Sequence, residues 1–313
     1  MKDQSLSYDQ EVLEFHAAEP PLLASTARGP VARLETAEPR PEIWFKRRVG
    51  VREALREVWA FRELIRALAE RDLRTRYKQS VLGIAWVALA PIVLMLVFTL
   101  VFTNLGQVST QGVPYPLFAF IGLVPWSFFS SSVMTGGTSL TMNTPLLNKL
   151  YCPREVFPLG SIVAAAVDAT ISTLVFAVLL AIEGRAPARE ALYTPIFLLI
   201  LVVFTVGVTV AISAAVVYVQ DLRVALPLVV QLGLFATPIA YGAGVVATST
   251  SGRVVYSALN PLVPVIDGLR RTVLLGEGPD WPSVLAGGSS ALLLLAAGFV
   301  LFKRLETGLA DLA

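Results

Sequence analysis

From Gln79 to Asn148 the chain carries no charged side chain, a run several times longer than the roughly 20 apolar residues one hydrocarbon crossing requires. Such a run is far too long to be a single span. It divides at Asn104, Gly106, Gln107, Ser109, Thr110, Gln111, Gly112 and Pro114, a polar, turn-rich connection between two spans. These two spans fall at residues 81–103 and 115–140. Four further apolar segments, at 156–182, 191–219, 224–246 and 283–302, are each bounded by charges or by Gly, Pro and Ser clusters. The expectation is an all-α membrane protein with six transmembrane helices. Composition agrees: 55% of residues are hydrophobic and 15% charged, with a mean hydropathy of +0.68, more apolar matter than one soluble core hides.

Charge is unevenly spread. Residues 1–43 hold 4 basic and 8 acidic groups, 44–78 hold 11 and 5, and the remainder 10 and 10. The basic surplus is therefore one segment, and no nucleic-acid-binding surface is expected. Residues 1–43, acidic and containing Pro20, Pro21, Pro30, Pro39 and Pro41, read as a disordered cytoplasmic tail. In residues 44–78, Val51, Leu55, Val58, Trp59, Phe61, Ile65 and Leu68 recur at helical spacing opposite Arg52, Glu53, Arg56, Glu63, Arg66 and Glu70. That pattern predicts an amphipathic helix lying in the cytoplasmic interface ahead of the transmembrane domain, 79–313. A soluble helix packed on another domain is the alternative.

Orientation follows from the short loops, because Lys and Arg are retained in the cytoplasm. Arg62, Arg66, Arg71, Arg74, Arg76 and Lys78 precede the first span, Lys149 and Arg154 follow the second, Arg223 follows the fourth, and Lys303 and Arg304 follow the sixth. Six spans place all of these on one side, with both termini cytoplasmic. The segment 247–282 opens on Thr248, Ser249, Thr250, Ser251 and Gly252 and then turns moderately apolar, interrupted by Pro261 and Pro264. It is too short and broken for two crossings and reads either as short re-entrant extracytoplasmic helices between spans five and six or as a surface loop.

The search for catalytic chemistry is mostly negative. It has one cysteine and one histidine, so Cys and His cannot form a disulfide within the chain or a zinc site. No phosphate-cradling GxxxxGK[ST] loop, HExxH or GxSxG motif occurs, nor a close carboxylate cluster of the kind that holds a metal-bound diphosphate. Asp168, near the middle of the third span, costs about 2.5 to 3.5 kcal/mol if left unpaired in the bilayer. It should find a partner such as Thr170, Ser172 or a neighbouring hydroxyl; a structural role and a place on a transport path both remain open.

Two charged loops, Asn148-Lys149-Leu150-Tyr151-Cys152-Pro153-Arg154-Glu155 and Tyr218-Val219-Gln220-Asp221-Leu222-Arg223, either set topology or present a helical knob to a soluble partner. Further motifs run in order along the chain. Arg71-Asp72-Leu73-Arg74-Thr75-Arg76-Tyr77-Lys78-Gln79-Ser80-Val81-Leu82-Gly83 precedes Trp86 and Pro91. Tyr115-Pro116-Leu117-Phe118 precedes Gly122-Leu123-Val124-Pro125-Trp126-Ser127-Phe128-Phe129. Pro153-Arg154-Glu155 with Pro158, Asp221-Leu222, Thr237-Pro238-Ile239, and Asn260-Pro261 with Arg270 follow. This series, from Trp59 to Lys303, closely resembles the ABC-2 type permeases that export polysaccharides and polyol phosphates such as O-antigen, teichoic acid, capsule or galactan. Cys152 stands where that family usually has an aromatic residue, and the acidic tail is unusually long.

The resemblance implies a permease subunit in the cytoplasmic (inner or plasma) membrane. It is expected to be a homodimer paired with two copies of a separate ATPase, exporting a lipid-linked glycan. It also implies a transport subunit rather than an enzyme: no cofactor is expected on this chain, and ATP and Mg belong to the ATPase. Coupling to that partner is expected at Lys149, Tyr151, Pro153, Arg154 and Glu155, with Arg71, Asp72, Arg74, Arg76 and Tyr77 as a gate-side segment. Arg154 is expected to reach a carboxylate on the ATPase, and Glu155 to sit in the first turn of a short helix. Trp86 and Tyr241, on the first and fifth spans, are the candidates for sugar stacking along a channel, among aromatic residues that otherwise fit an interfacial belt. An ABC-2 drug or lipid exporter is the alternative function. A membrane glycosyltransferase would need a carboxylate or His cluster, and an ion-coupled transporter paired intramembrane charges, where only Asp168 qualifies.

Overall fold

The computed structural model describes residues 56, 58–78, 83–103, 110–147 and 152–306, and among these it is all helical. The acidic tail, the first part of the amphipathic segment, Lys149 and Tyr151 lie outside the described residues. The principal helices are α1 (Arg62–Tyr77), α2 (Ala85–Val101), α3 (Tyr115–Gly137), α4 (Val156–Ile182), α5 (Thr194–Tyr218), α6 (Asp221–Ala236), α7 (Thr250–Leu259), α8 (Leu262–Leu269) and α9 (Trp281–Glu306).

Four of these, α3, α4, α5 with its preceding 3₁₀ turn, and α9, are long and apolar enough to cross a membrane. The other two expected spans are shorter. Helix α2 has 17 residues. Helix α6 has 16, carries Pro227 inside, and stops at Ala236, so the continuous helix expected over 224–246 is not formed. The reason is local: Pro238 disfavours the α conformation in the residue before it, and Thr237 accordingly adopts φ −105° and ψ 139°.

Helix α3 forms the centre of the bundle. Its start is fixed by Pro114 and Pro116, with Tyr115 and Pro116 opening the helix, positions where a missing amide donor costs nothing. Leu117, Ala119, Phe120 and Leu123 are almost wholly enclosed by α4, α5 and α8, and the Phe120 and Phe176 rings stack at 6.2 Å. Helices α5 and α9 make the most extensive pairing because glycines face each other across it: a Cβ at Gly207 would lie 2.7 Å from Leu295 Cα, and one at Gly298 would strike the Gly207 carbonyl. Small residues of this kind let apolar helices meet backbone to backbone.

The segment after α6 holds short helices, as one of the two sequence readings expects. Ser249 caps α7 by accepting a hydrogen bond from the Gly252 amide at 3.0 Å, and Asn260 Oδ1 accepts from the Leu262 amide at 3.1 Å to open α8. Leu262, Val263, Val265 and Ile266 are buried against α3 and α5, which places α8 inside the bundle instead of on its surface. A π-helical stretch, Arg270–Leu275, ends at Gly276 in the left-handed conformation (φ 67°), which a glycine adopts without steric cost.

The amphipathic helix is packed on the bundle. Its buried face, Ile65, Leu68 and Ala69, is laid along α4 in the same chain direction, with Leu68 against Gly160 and Tyr77 beside Asp168. The absence of a side chain at Gly160 is what allows this approach: a Cβ there would sit 2.9 Å from Leu68 Cβ. Trp59, near its start, is 71% exposed.

Candidate functional site

Three groups of functional candidates are brought together by this packing. The first joins the gate-side segment to the third span. Arg71 pairs with Asp72 at 3.0 Å, and Ser161 Oγ on α4 donates to the other Asp72 oxygen at 3.1 Å. Four residues on, Arg76 Nη1 meets Asp168 Oδ2 at 2.9 Å and the Tyr77 hydroxyl donates to Asp168 Oδ1 at 3.0 Å. The intramembrane carboxylate thus has a cation and a phenol from α1 as partners. The Thr170 hydroxyl donates instead to the Ala166 carbonyl and the Ser172 hydroxyl to the carbonyl of Asp168 itself, as helical hydroxyls commonly do. Burial, and next the Asp168 charge, lift the Tyr77 phenol above its ordinary range, keeping it a donor at neutral pH. Arg74 turns away to Glu70, one helical turn back.

Above this ion pair lies the second group, a cavity of about 520 Å³. Trp86, Ala90 and Pro91 of α2 form one wall, Trp126, Ser127, Phe128, Ser130 and Ser131 of α3 another, and Pro227, Val230 and Gln231 of α6 a third, with Arg76, Tyr77 and Asp168 contributing charged and phenolic groups. Of its aromatic residues Trp86 is exposed while Trp126 and Phe128 are buried, and serine hydroxyls, Gln231 and the Arg76–Asp168–Tyr77 group supply the polar part of the lining. Trp86 is 51% exposed and free to stack. Tyr241 is placed differently from expectation: it lies beyond the end of α6, its hydroxyl donates to the Phe235 carbonyl at 2.7 Å, and it does not line this cavity. Phe118 and Phe120 are core residues, and Tyr115 is buried with its hydroxyl on the Ala240 carbonyl at 2.8 Å.

The third group is the Pro153-Arg154-Glu155 turn. It runs directly into α4 with Glu155 at the cap position, so there is no separate short helix with Glu155 in its first turn. Both charges are engaged within the chain. Glu155 is buried, 4% exposed, and pairs with Lys303 at the end of α9; Arg154 Nη1 donates to the Glu306 carbonyl at 3.3 Å. Lys303 also meets Glu306 Oε2 at 2.9 Å, and the Tyr218 hydroxyl donates to the Leu305 carbonyl. Cys152, half-buried beside the turn, has its thiol pushed above its usual range by burial.

At the opposite end of the bundle Arg270 is 3% exposed. Its guanidinium donates to the carbonyls of Phe118 (3.1 Å), Pro238 (2.6 Å), Tyr241 (3.0 Å) and Ile239, and it lies 3.7 Å from the centroid of the Phe118 ring. It satisfies carbonyls left open where α6 breaks. Sequence reading singled out Arg270 only as part of a motif and missed Lys303's partner; a basic residue in the last turn of the last helix was the available signal.

The model of the family described as ABC-2 type transporter matches residues 63–274. The chain belongs to the ABC-2 type transporter family. Relatives of this ABC-2 chain include the O-antigen export system permease protein RfbA of Myxococcus xanthus, 31% identical over 80% of this chain and 95% of that protein. The permease of the same name from Klebsiella pneumoniae is 26% identical over 80% of this chain and 95% of its own length. The polysialic acid transport protein KpsM of Escherichia coli is 23% identical over 77% of this chain and 93% of its own. The matched family region takes in α1, the cavity, the Pro153 turn and Arg270, and ends before α9.

Proposed function

We propose that this chain is the membrane permease of an ATP-driven exporter that carries a lipid-linked polysaccharide, an O-antigen, teichoic acid or similar envelope glycan, across the cytoplasmic membrane. The observation that carries this reading is the similarity to O-antigen export permeases over 95% of their length. The aromatic and hydroxyl lining of the cavity between α2, α3 and α6 is in keeping with a glycan path. In this reading α2 and α6, despite their length, act as the first and fifth of six spans, both termini are cytoplasmic, and α1 sits at the cytoplasmic face. Two copies of the permease share the path and pair with two copies of a separate ATPase, which binds ATP and Mg. The backbone and Pro153 side of the turn, with the neighbouring Lys149 and Tyr151, meet the ATPase, while the charges of Arg154 and Glu155 hold the turn to α9.

Two measurements test this. In a Cys152→Ser background, a cysteine at Ser249 should label with an impermeant thiol reagent from outside and one at Gln220 should not; outside labelling at Gln220 would break the six-span arrangement. Expressed with its cognate ATPase in a host lacking its own O-antigen exporter, the chain should restore surface polysaccharide in an ATP-dependent manner. An assembled permease–ATPase complex that displays no glycan would overturn the function.

A further inference from the structure

Helix α9 touches both ends of the molecule. Its 26 residues span about 39 Å. At one end Lys303 holds the buried Glu155, and the Glu306 and Leu305 carbonyls take hydrogen bonds from Arg154 and Tyr218. Glu155 Oε2 has no hydrogen-bond partner among the described residues, so Lys303 is the partner on which this buried carboxylate depends. In the middle, the backbone contact at Gly207 and Gly298 locks α9 to α5. At the far end Gly287 lies against Pro264 of α8, and a Cβ there would come within 3.3 Å of the Ser257 carbonyl of α7. Ser283 donates to Asp280 at 2.9 Å, and Asp280 faces Arg253 of α7 at 4.0 Å. A rod so fastened cannot leave one end behind when the other moves, because packed interfaces shift between discrete arrangements rather than stretch.

We propose that Lys303 is the positioning residue that fastens the Pro153–Glu155 turn to α9, so that displacement of this turn is delivered along α9 to the short helices α7 and α8 at the opposite end. This rests on the reading of the chain as an ATP-driven permease. It gives the last helix, which lies beyond the matched family region, a role in transmission, and it gives the buried charge pair a purpose other than topology.

The test uses the whole permease–ATPase complex in proteoliposomes, with a polyprenyl-diphosphate-linked O-antigen polysaccharide as the probe. Lys303→Gln and Glu155→Gln should each lower glycan exported per ATP hydrolysed by about tenfold, the size of coupling that single residues along such a route carry. In each the ATPase should still copurify, and a cysteine at Ser249 should lose the ATP-dependent change in labelling rate that the parent shows. The exchanged pair, Glu155→Lys with Lys303→Glu, should recover export per ATP to within about threefold of wild type, because the pair is re-formed. Export per ATP in Lys303→Gln equal to wild type would overturn the proposal. So would an exchanged pair that accumulates normally yet stays as uncoupled as the single variants. Where a single variant does not accumulate, the exchanged pair decides: recovery of both accumulation and coupling supports the role, and recovery of accumulation alone refutes it. Failure of the underlying functional reading shows separately, as a wild-type complex with no glycan export.

Discussion

Charge is handled in opposite ways at the Glu155 and Asp168 carboxylates and at Arg270. At the Pro153 turn the buried Glu155 meets Lys303, and midway along α4 the part-buried Asp168 meets Arg76, each cation coming from a distant helix. At the other end, Arg270 is surrounded by carbonyls of Phe118, Pro238, Ile239 and Tyr241, with no carboxylate within ion-pair distance among the described residues. A side-chain ion pair can be exchanged for another partner by a rotamer change. A guanidinium held by four backbone carbonyls can be released only by moving backbone. The Glu155 and Asp168 contacts can be exchanged by side-chain rotation alone, whereas the Arg270 contacts move only with the backbone segments that carry them.

The sharpest way to break this comparison is at Arg270. Arg270→Met leaves its carbonyl acceptors without a donor and should destabilise the protein by about 3 kcal/mol or more, seen as a large drop in thermal unfolding temperature in detergent or as failure to accumulate. Arg270→Lys should recover little, because an ammonium lacks the planar fork that reaches several carbonyls at once. A well-behaved Arg270→Met protein would contradict the idea that Arg270 holds together the backbone segments around it. Next in size, Gly298→Leu forces α9 off α5 and should cost about 1 to 3 kcal/mol, with Ala296→Leu, at an exposed position on α9, tolerated without loss. Between α1 and α4, Arg76→Gln and Asp168→Asn should each cost less than the Arg270 change. A double-mutant cycle between them should return a coupling of about 1 kcal/mol. A zero coupling would mean that the two groups share solvent rather than a bond. The smallest structural effect is expected at Trp86→Ala: this half-exposed residue should leave unfolding unchanged within about 0.5 kcal/mol, while glycan export falls, which separates a residue that lines a path from one that holds the fold.

Much of the fold was legible because a bilayer leaves few options. The uncharged run from Gln79 to Asn148 requires apolar helices, and the limits expected for the third span, 156–182, coincide with α4. What escaped the reading lay inside apolar stretches or far apart in the chain. Hydropathy continues smoothly through Thr237-Pro238, so it concealed the break that ends α6; the rule for the residue before proline would have located it. Asp168 was recognised as a group in need of a partner, yet nothing local points to Arg76, and Thr170 and Ser172 were preoccupied by their own helix. Glu155 stands in a short polar loop, and nothing in that loop announces that the return of α9 to the same end buries it against Lys303. The amphipathic stripe of α1 was plain, but whether lipid or protein covers such a stripe is decided by the partner surface, here the gap left at Gly160.

The Arg76–Asp168 pair joins residues 92 positions apart, and this separation sets an order of events during synthesis. At roughly 5 to 20 residues per second, the carboxylate emerges about 5 to 20 s after the arginine. Throughout that interval Arg76 is a positive charge ahead of the first span whose later partner has not yet been made. Once α4 is in place the charge is neutralised and α1 is drawn against it. The contact that ties α1 to α4 is thus among those that the chain can form only after its third long helix has been made.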